Sequence, residues 1–537
     1  MNLHASQSEI DALEDVLRRA ASGEGVVATK VALAWHLRQR DSGRTLQLVQ
    51  DVMPVVRASR ASTHGDAIAS CHARAALAAA EASALYGEVV EAERCLVDAR
   101  AHLNPTWDPQ AEGDAWLVES LVARTRGQVE RSLAALRQAA RCFARAKEAE
   151  RLGVARAWIA FERAATGPER AEPNEAPSER RDAATSRGDA AADRGDAAGA
   201  RDAILVAARA VALSCRNPAA AARAFSAAGD LARARGLVWL EVSCLLETGA
   251  VIHELGDYDR AARCFDAAAL RARATGWPTL IVTCDTHFGA LLCDLGAFDE
   301  SQRTLEAAIE TLSARPRGPL LANAHAALAR TLLATRRTAE ASAQMDAAMA
   351  LFRAADGPRD LAANLILHAR VLAAAMQPGR AVDVLAEAEA LVESRGLESM
   401  RVGLHQAQAD LHHRFTLAPP PGMMLPSAAL HFAEAALAQG QRLTGWSARA
   451  TLLDFLAERW AGTGDHERAY AYARRALAAK ERETAQKMSY PLALLRVRRH
   501  AEVRAGPDTA RARNDHDAAR DPGPPAGRFA RHAPRPH

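Results

Sequence analysis

A recurrence of small residues every 40 positions constrains the fold of this 537-residue chain more than any other feature. The small residue is Ala221, Ala261, Ser301, Ala341 and Ala381 in successive copies, and the same step separates Ala92 from Ser132 and Ala429 from Ala469. A weaker copy begins at Thr45. Units that repeat at a fixed step pack only on their neighbours, so the chain escapes the size limit of a single globular core. The recurrence therefore predicts a stacked array.

Each unit carries further fixed positions. Four residues after the small residue stands a larger apolar one, and three residues later an alanine; twelve residues before it stands another small residue, as at Gly249 and Gly289. Steps of three and four place side chains on one face of a helix. We expect a helical hairpin in which small residues let the two helices approach closely, while the larger residue fills the gap against the next unit. A Gly-Asp or Gly-Ala pair before each second helix favours a tight turn.

These residues resemble the consensus of the tetratricopeptide repeat (TPR), a family of helical hairpins. The matching positions are Gly249, Gly256, Tyr258, Ala261, Phe265 and Ala268. The resemblance covers roughly residues 25–485 and implies an all-α, TPR-like α-solenoid of about ten antiparallel hairpins. It departs from the family in its period of 40 rather than about 34 residues, and in having mostly aliphatic residues at the family's tryptophan position. Long-helix repeats of this kind are similar to the sensory arrays of bacterial signalling proteins.

Composition divides the chain into five parts. We expect an N-terminal helical module (1–165), a disordered linker (166–200), a second TPR-like solenoid (201–490), a capping or connector helix (491–505) and a disordered tail rich in Arg and Pro (506–537). The linker and the tail have too few large apolar side chains to bury. The proline-rich stretch 415–426 explains one longer step and predicts a stiff loop between the two helices of one repeat.

No motif for catalysis, cofactor binding or metal binding stands out. The sequence has no phosphate-binding loop, no HExxH, no GxSxG and no paired-cysteine spacing for zinc. The one close histidine pair, His412 and His413, points in two directions on a helix and would not chelate a metal by itself. We therefore expect a chain that is not an enzyme and has no catalytic, cofactor or metal site.

Binding is the remaining function. In the TPR family the first helix of each hairpin lines a concave groove, and the resemblance implies eight groove-facing residues: Asn323, Arg330, Arg370, Gln406, Asp410, His413, Asp454 and Glu458. Their mixed charge suits a peptide or protein segment. The family's clamp of Lys and Asn for a carboxylate is not evident.

We expect a cytoplasmic scaffold or adaptor. The N-terminus does not resemble a secretory signal, no stretch of 18 apolar residues occurs, and the formal net charge of +3 indicates neither a nucleic acid nor a membrane as partner. The alternative is the sensory module of a bacterial signalling protein whose diguanylate cyclase or histidine kinase output domain is missing or on another chain. That alternative predicts a homodimer, or docking to a partner, through the C-terminal helix (470–505). An enzyme, or a nucleic-acid binder acting through the basic tail, is a third hypothesis.

Overall fold

The computed structural model describes residues 3–19, 24–58, 65–103, 108–166, 199–214, 217–313, 318–355, 357–443 and 446–487, and every regular element in these residues is an α-helix. The first eight helices are α1 (Gln7–Arg19), α2 (Glu24–Leu37), α3 (Ser42–Ala58), α4 (Gly65–Tyr86), α5 (Val89–His102), α6 (Pro109–Thr125), α7 (Val129–Arg145) and α8 (Ala149–Thr166). The next seven are α9 (Ala200–Ser214), α10 (Pro218–Arg235), α11 (Val238–Glu254), α12 (Tyr258–Thr275), α13 (Pro278–Asp294), α14 (Phe298–Ser313) and α15 (Pro319–Ala334). The last seven are α16 (Thr338–Arg353), α17 (Pro358–Ala374), α18 (Pro378–Ser394), α19 (Met400–Arg414), α20 (Ala428–Gln441), α21 (Ala450–Gly462) and α22 (His466–Lys487).

Most of these helices form consecutive hairpins. The pairs are α2–α3, α4–α5, α6–α7, α9–α10, α11–α12, α13–α14, α15–α16, α17–α18, α19–α20 and α21–α22. Helix α1 packs on α2, and α8 packs on both α7 and α9. The prediction of an all-α, TPR-like solenoid is confirmed.

The recurring small residues open the second helix of each hairpin and lie inside it. All ten of these side chains, from Thr45 to Ala469, are at most 9% exposed. Two of the three hydroxyl-bearing residues bond the first helix: Thr45 Oγ1 donates to the carbonyl oxygen of Ala34 at 3.1 Å, and Ser301 Oγ donates to that of Gly289 at 2.7 Å. The third, Ser132, donates to Glu162 Oε1 on α8 at 2.9 Å. A larger side chain at these positions would push the two helices apart.

The larger residue of each unit serves two contacts rather than one. A Cβ atom added to Gly249 would lie 2.5 Å from Cε1 of Phe265, and one added to Gly289 would lie 2.6 Å from Cγ of Leu305. Both contacts are within one hairpin. Phe265 also meets the next unit, with its ring centroid 5.9 Å from that of Phe288. The larger residue therefore packs inside its own hairpin as well as against the next unit.

Most of the described turns inside the hairpins use a left-handed residue. Glycine supplies it at Gly256 (φ 85°), Gly296 (φ 77°) and Gly464 (φ 86°). Arg336 (φ 63°) and Met376 (φ 58°) stand in the corresponding turns of two central hairpins. A side chain with a Cβ is disfavoured in this conformation. The expectation of glycine before each second helix fails at these two turns.

The proline-rich stretch connects α19 to α20, the two helices of one hairpin. Phe415 and Leu417 pack against the core of the central hairpins, and Leu425 packs against that of the last ones. Met424 points away and is 92% exposed. The loop therefore lies against its own array through three apolar side chains.

Contacts also join the N-terminal helices to the middle of the array. Helix α4 contacts α13, and α8 contacts α17, so helices nine places apart in the chain meet. The indole Nε1 of Trp277 donates to Ser42 Oγ at 3.0 Å, and Thr279 Oγ1 donates to the carbonyl oxygen of Leu85 at 3.1 Å. The described residues on the two sides of the predicted linker are thus in direct contact. The division into two modules remains a prediction.

Three expectations fall wholly or mostly outside the described residues. They concern the linker, the capping helix at 491–505 and the tail at 506–537; the described part of the chain continues α22 as far as Lys487. Among the described helices, none combines the length and the apolar character needed to cross a membrane.

Candidate functional site

A cleft of about 680 Å³ lies between the first helices of the last four hairpins. Its lining comes from the end of α15 and the turn after it, from α17 and α19, and from the start of α21. Short side chains line much of it, among them Ala369, Ala373 and Ala409. Alanine favours the helix and leaves room between neighbouring helices, so longer side chains can extend over the cleft. We call this region the arginine cleft, after Arg336, Arg370, Arg414 and Arg449.

Three of the predicted groove residues occupy the same position in consecutive repeats. Arg330, Arg370 and Asp410 are 40 residues apart, near the ends of α15, α17 and α19. The first of them faces backwards along the array: Arg330 Nη2 donates to the carbonyl oxygen of Ala290 at 3.0 Å and lies 3.8 Å from an oxygen of Asp294. Arg330 is therefore held by the preceding hairpin, whereas the other two line the arginine cleft.

Arg370 is a partly desolvated cation. Its Nε–H is buried and has no hydrogen-bond partner among the described protein atoms. Burial lowers the pKa of the guanidinium, the carboxylate of Asp410 opposes that shift, and the neighbouring Arg449 adds to it. Arginine stays charged under all ordinary conditions, so the lowered pKa reports a charge that its surroundings compensate incompletely.

Among the described residues that line the arginine cleft, Asp410 is the one carboxylate. Its side chain reaches solvent, yet the surrounding protein raises the pKa of the carboxyl group, while Arg370, Arg414 and His413 pull it down. Four guanidinium groups against this single carboxylate give the lining a net positive charge. Such a lining attracts anionic groups and repels cations.

An acidic surface lies next to the arginine cleft. Glu247 and Glu254 lie two turns apart on α11, and Asp294 ends α13. Both glutamate side chains reach solvent, but the protein around them partly desolvates the carboxyl groups and raises their pKa. The charge of Arg359 opposes the rise in each. His253 Nε2 lies 2.8 Å from Oδ2 of Asp294.

Arg449 connects the two surfaces. Its charge lowers the pKa of Glu254 and Asp294 on one side and that of Arg370 on the other. The positively charged arginine cleft and the acidic surface therefore adjoin at Arg449.

The remaining predicted groove residues have varied surroundings. Gln406 lines the arginine cleft. His413 lies at its edge, with Nδ1 3.2 Å from Arg459 Nη1 and its ring 5.4 Å from that of Phe455. Asp454 is ion-paired at 2.8 Å with Lys480 Nζ in its own hairpin, Glu458 is exposed, and Asn323 is half-buried two turns before Arg330 on α15.

The structure brings together Arg370, Gln406 and Asp410, and it adds Arg336, Arg414, Arg449 and Phe455, which the sequence did not single out. The sequence held a signal for Arg336, because it stands where the corresponding turns of other hairpins have a glycine. Arg414 is the last residue of α19 and Arg449 immediately precedes α21; neither had such a signal.

Comparisons with known proteins give matches only among solved structures. No family model and no curated protein matches the sequence. A Rap protein crystallised with a competence and sporulation factor is 12% identical, with 77% of this chain and 99% of that one covered and a TM-score of 0.43. Aspartyl phosphate phosphatase F from Bacillus subtilis is 9% identical (86% and 95% covered, TM-score 0.35), and yeast Tom70 is 14% identical (88% and 92% covered, TM-score 0.32). Similarity at this level does not indicate a shared function.

The ten hairpins of the described residues, the buried small residues at a 40-residue step and the cleft along the first helices all belong to one architecture. In its fold, the chain is a TPR-like helical-repeat protein.

Proposed function

We propose that this chain is a non-catalytic interaction scaffold that binds a peptide or protein segment along the first helices of its hairpins, with an anionic group of that segment in the arginine cleft. The observation that supports this most is the surplus of guanidinium groups around a single carboxylate. A planar guanidinium offers paired donors that match a carboxylate, either an Asp or Glu side chain or a chain terminus.

Arg370 gives the proposal its energetic basis. Leaving a buried charged donor without a partner costs free energy, and a ligand oxygen that accepts from Nε would recover part of it. The dimensions of the cleft also suit a few side chains of an extended segment, since volumes of 300–1,000 Å³ are usual for sites that enclose small ligands.

The neighbouring acidic surface adds a second requirement. Glu247, Glu254 and Asp294 favour a cationic group, and Arg449 separates them from the arginine cleft. We infer that the preferred segment carries acidic residues at one end and a basic residue further along. Electrostatic complementarity of this kind sets the direction in which a segment binds.

The test is selection of peptides from a random display library against the full chain. Under the proposal, recovered peptides are enriched in Asp and Glu, and their affinity for Arg370→Glu/Arg449→Glu falls by more than about tenfold. The matched control is Arg223→Glu on the second helix α10, whose side chain is exposed and lies outside the cleft. Peptides without acidic enrichment, or equal loss in the control, would contradict the proposal.

The sensory-module alternative and the homodimer remain predictions. They depend on α22 and the residues after it. The described part of α22 exposes Tyr470 (67%) and Leu477 (60%), seven residues apart and so on one face. That face gives the predicted self-association a specific location.

A further inference from the structure

A second polar cluster lies far along the chain from the arginine cleft, in the α4–α5 hairpin. His72 is near the start of α4, and Asp98 and His102 are one turn apart at the end of α5. The two helices run antiparallel, so the start of one meets the end of the other. We propose that His72, Asp98 and His102 form a binding site for one divalent transition-metal ion of the zinc class.

The donor atoms already converge. His72 Nε2 lies 2.9 Å from Asp98 Oδ2, and His102 Nδ1 lies 3.5 Å from Asp98 Oδ1. One ligand atom from each of the three residues can be chosen so that all lie within 4.8 Å of one another. Zinc holds nitrogen and oxygen ligands at about 2.0–2.2 Å, which sets neighbouring ligands of a tetrahedron roughly 3.4 Å apart. The two distances to the carboxylate fall on either side of that spacing.

The surroundings suit a bound ion. The side chains of His72, His102 and Asp98 are only 3%, 13% and 27% exposed, so little water competes for their lone pairs. Two neutral imidazoles and one carboxylate are ligands that zinc takes in proteins, with a fourth position left for water.

The hydrogen bond between His72 and Asp98 does not explain why a second imidazole, that of His102, also lies beside the carboxylate. The rings of His72 and His102 are stacked, with centroids 3.8 Å apart and planes 12° from parallel. Two imidazole rings thus lie together at one carboxylate, an arrangement that suits a shared metal ion. As metal ligands both rings stay neutral.

Binding requires local adjustment only. The ion replaces the His72–Asp98 hydrogen bond, and His72 then carries its proton on Nδ1 so that Nε2 offers a lone pair. His102 turns so that one ring nitrogen faces the ion; its Nδ1 is 2.7 Å from the carbonyl oxygen of Asp98 in the present arrangement. The ion would fasten the two helices of the hairpin together and stabilise it.

Sequence reasoning pointed to no metal site because His72 and Asp98 are 26 residues apart, on different helices. The Asp98–His102 spacing of four residues was the one local signal.

The experiment is calorimetric titration of ZnCl₂ into tag-free, chelator-treated full-length chain. We expect one ion per chain, and a loss of affinity of more than about tenfold in each of His72→Gln, Asp98→Asn and His102→Gln. His466→Gln, at an exposed histidine on α22, is the control and should bind as the unaltered chain does. Undiminished binding in the three variants would assign the ion to other histidines and overturn the proposal, as would absence of saturable binding.

Folding of the variants is checked by circular dichroism without metal. Should one of them misfold, the unaltered chain loaded with Co²⁺ gives an independent answer. Intense visible d–d absorption that Zn²⁺ displaces supports a tetrahedral protein site, and the weak spectrum of the hydrated ion refutes it.

Discussion

Gly249 allows a close approach between the two helices of a hairpin, and its replacement by alanine tests the packing rule of the array. The added Cβ would lie 2.5 Å from Cε1 of Phe265, well inside van der Waals contact. Phe265 has little room to move, because its side chain is fully buried and its ring lies 5.3 Å from that of His287 and 5.9 Å from that of Phe288.

Two opposing effects set the magnitude. Overpacking a well-filled core costs typically about 1–3 kcal/mol. Replacing a helical glycine by alanine gains about 1 kcal/mol in helix propensity. Since the ring of Phe265 is enclosed, we take the upper part of the first range and expect Gly249→Ala to lower the free energy of unfolding by about 1–2 kcal/mol.

The control is Gly403→Ala on α19. A Cβ there has no neighbour within 4 Å, so only the propensity gain remains and the variant should be more stable by about 0.5–1 kcal/mol. The assay is urea unfolding followed by far-ultraviolet circular dichroism, with hydrogen exchange of α11 and α12 as the local readout. The double variant Gly249→Ala/Phe265→Leu should recover part of the loss. The reasoning is refuted if Gly249→Ala and Gly403→Ala shift the urea midpoint upward together.

Three further predictions concern other parts of the array. Burial, with a smaller effect from His253, lowers the pKa of His287 to about 4 from its ordinary 6.5. Between pH 6.5 and 4 the unfolded chain therefore binds more protons than the folded chain, and the free energy of unfolding should fall by at most about 3 kcal/mol as the pH is lowered through this range. Urea titrations at several pH values measure this dependence, and His287→Gln should reduce it. Trp277→Phe removes the bond to Ser42 and should cost about 1–3 kcal/mol, seen as faster hydrogen exchange in α3 and α13; unchanged exchange would show that this contact does not join the N-terminal helices to the array. If α22 mediates a homodimer, light scattering should give a dimer mass for the full chain and a monomer mass for Leu477→Glu, whereas equal masses would remove the role of that face.

The repeat architecture was predictable because its signals are local and periodic. Each opening residue, from Thr45 to Ala469, marks the same point of a hairpin, and the helices follow from spacings of three and four. A small side chain must fit the same close contact in every unit, so each copy repeats the same local signal. The turns at Arg336 and Met376 escaped prediction because a residue other than glycine can occupy the left-handed conformation at a cost of about 1 kcal/mol or more.

The site was predictable only in part. Arg370 and Asp410 share a repeat position, so the register places them together on the inner wall. Arg449 reaches the same wall from outside a helix, and Asp454 at a groove-facing position is instead paired with Lys480. The Trp277–Ser42 bond spans 235 residues and has no local pattern at all. Contacts of this kind depend on how the array curves, which the repeat period does not specify.

The central claim is that a peptide segment binds in the arginine cleft, and photo-crosslinking tests it most directly. An acidic peptide from the display selection, carrying a photoreactive group beside its carboxylates, is bound to the full chain, irradiated and mapped by mass spectrometry. We predict crosslinks to α17, α19 and α21, centred on Gln406 and Phe455, which disappear in Arg370→Glu/Arg449→Glu. Crosslinks confined to the second helices of the hairpins, or unchanged in that variant, would contradict the account.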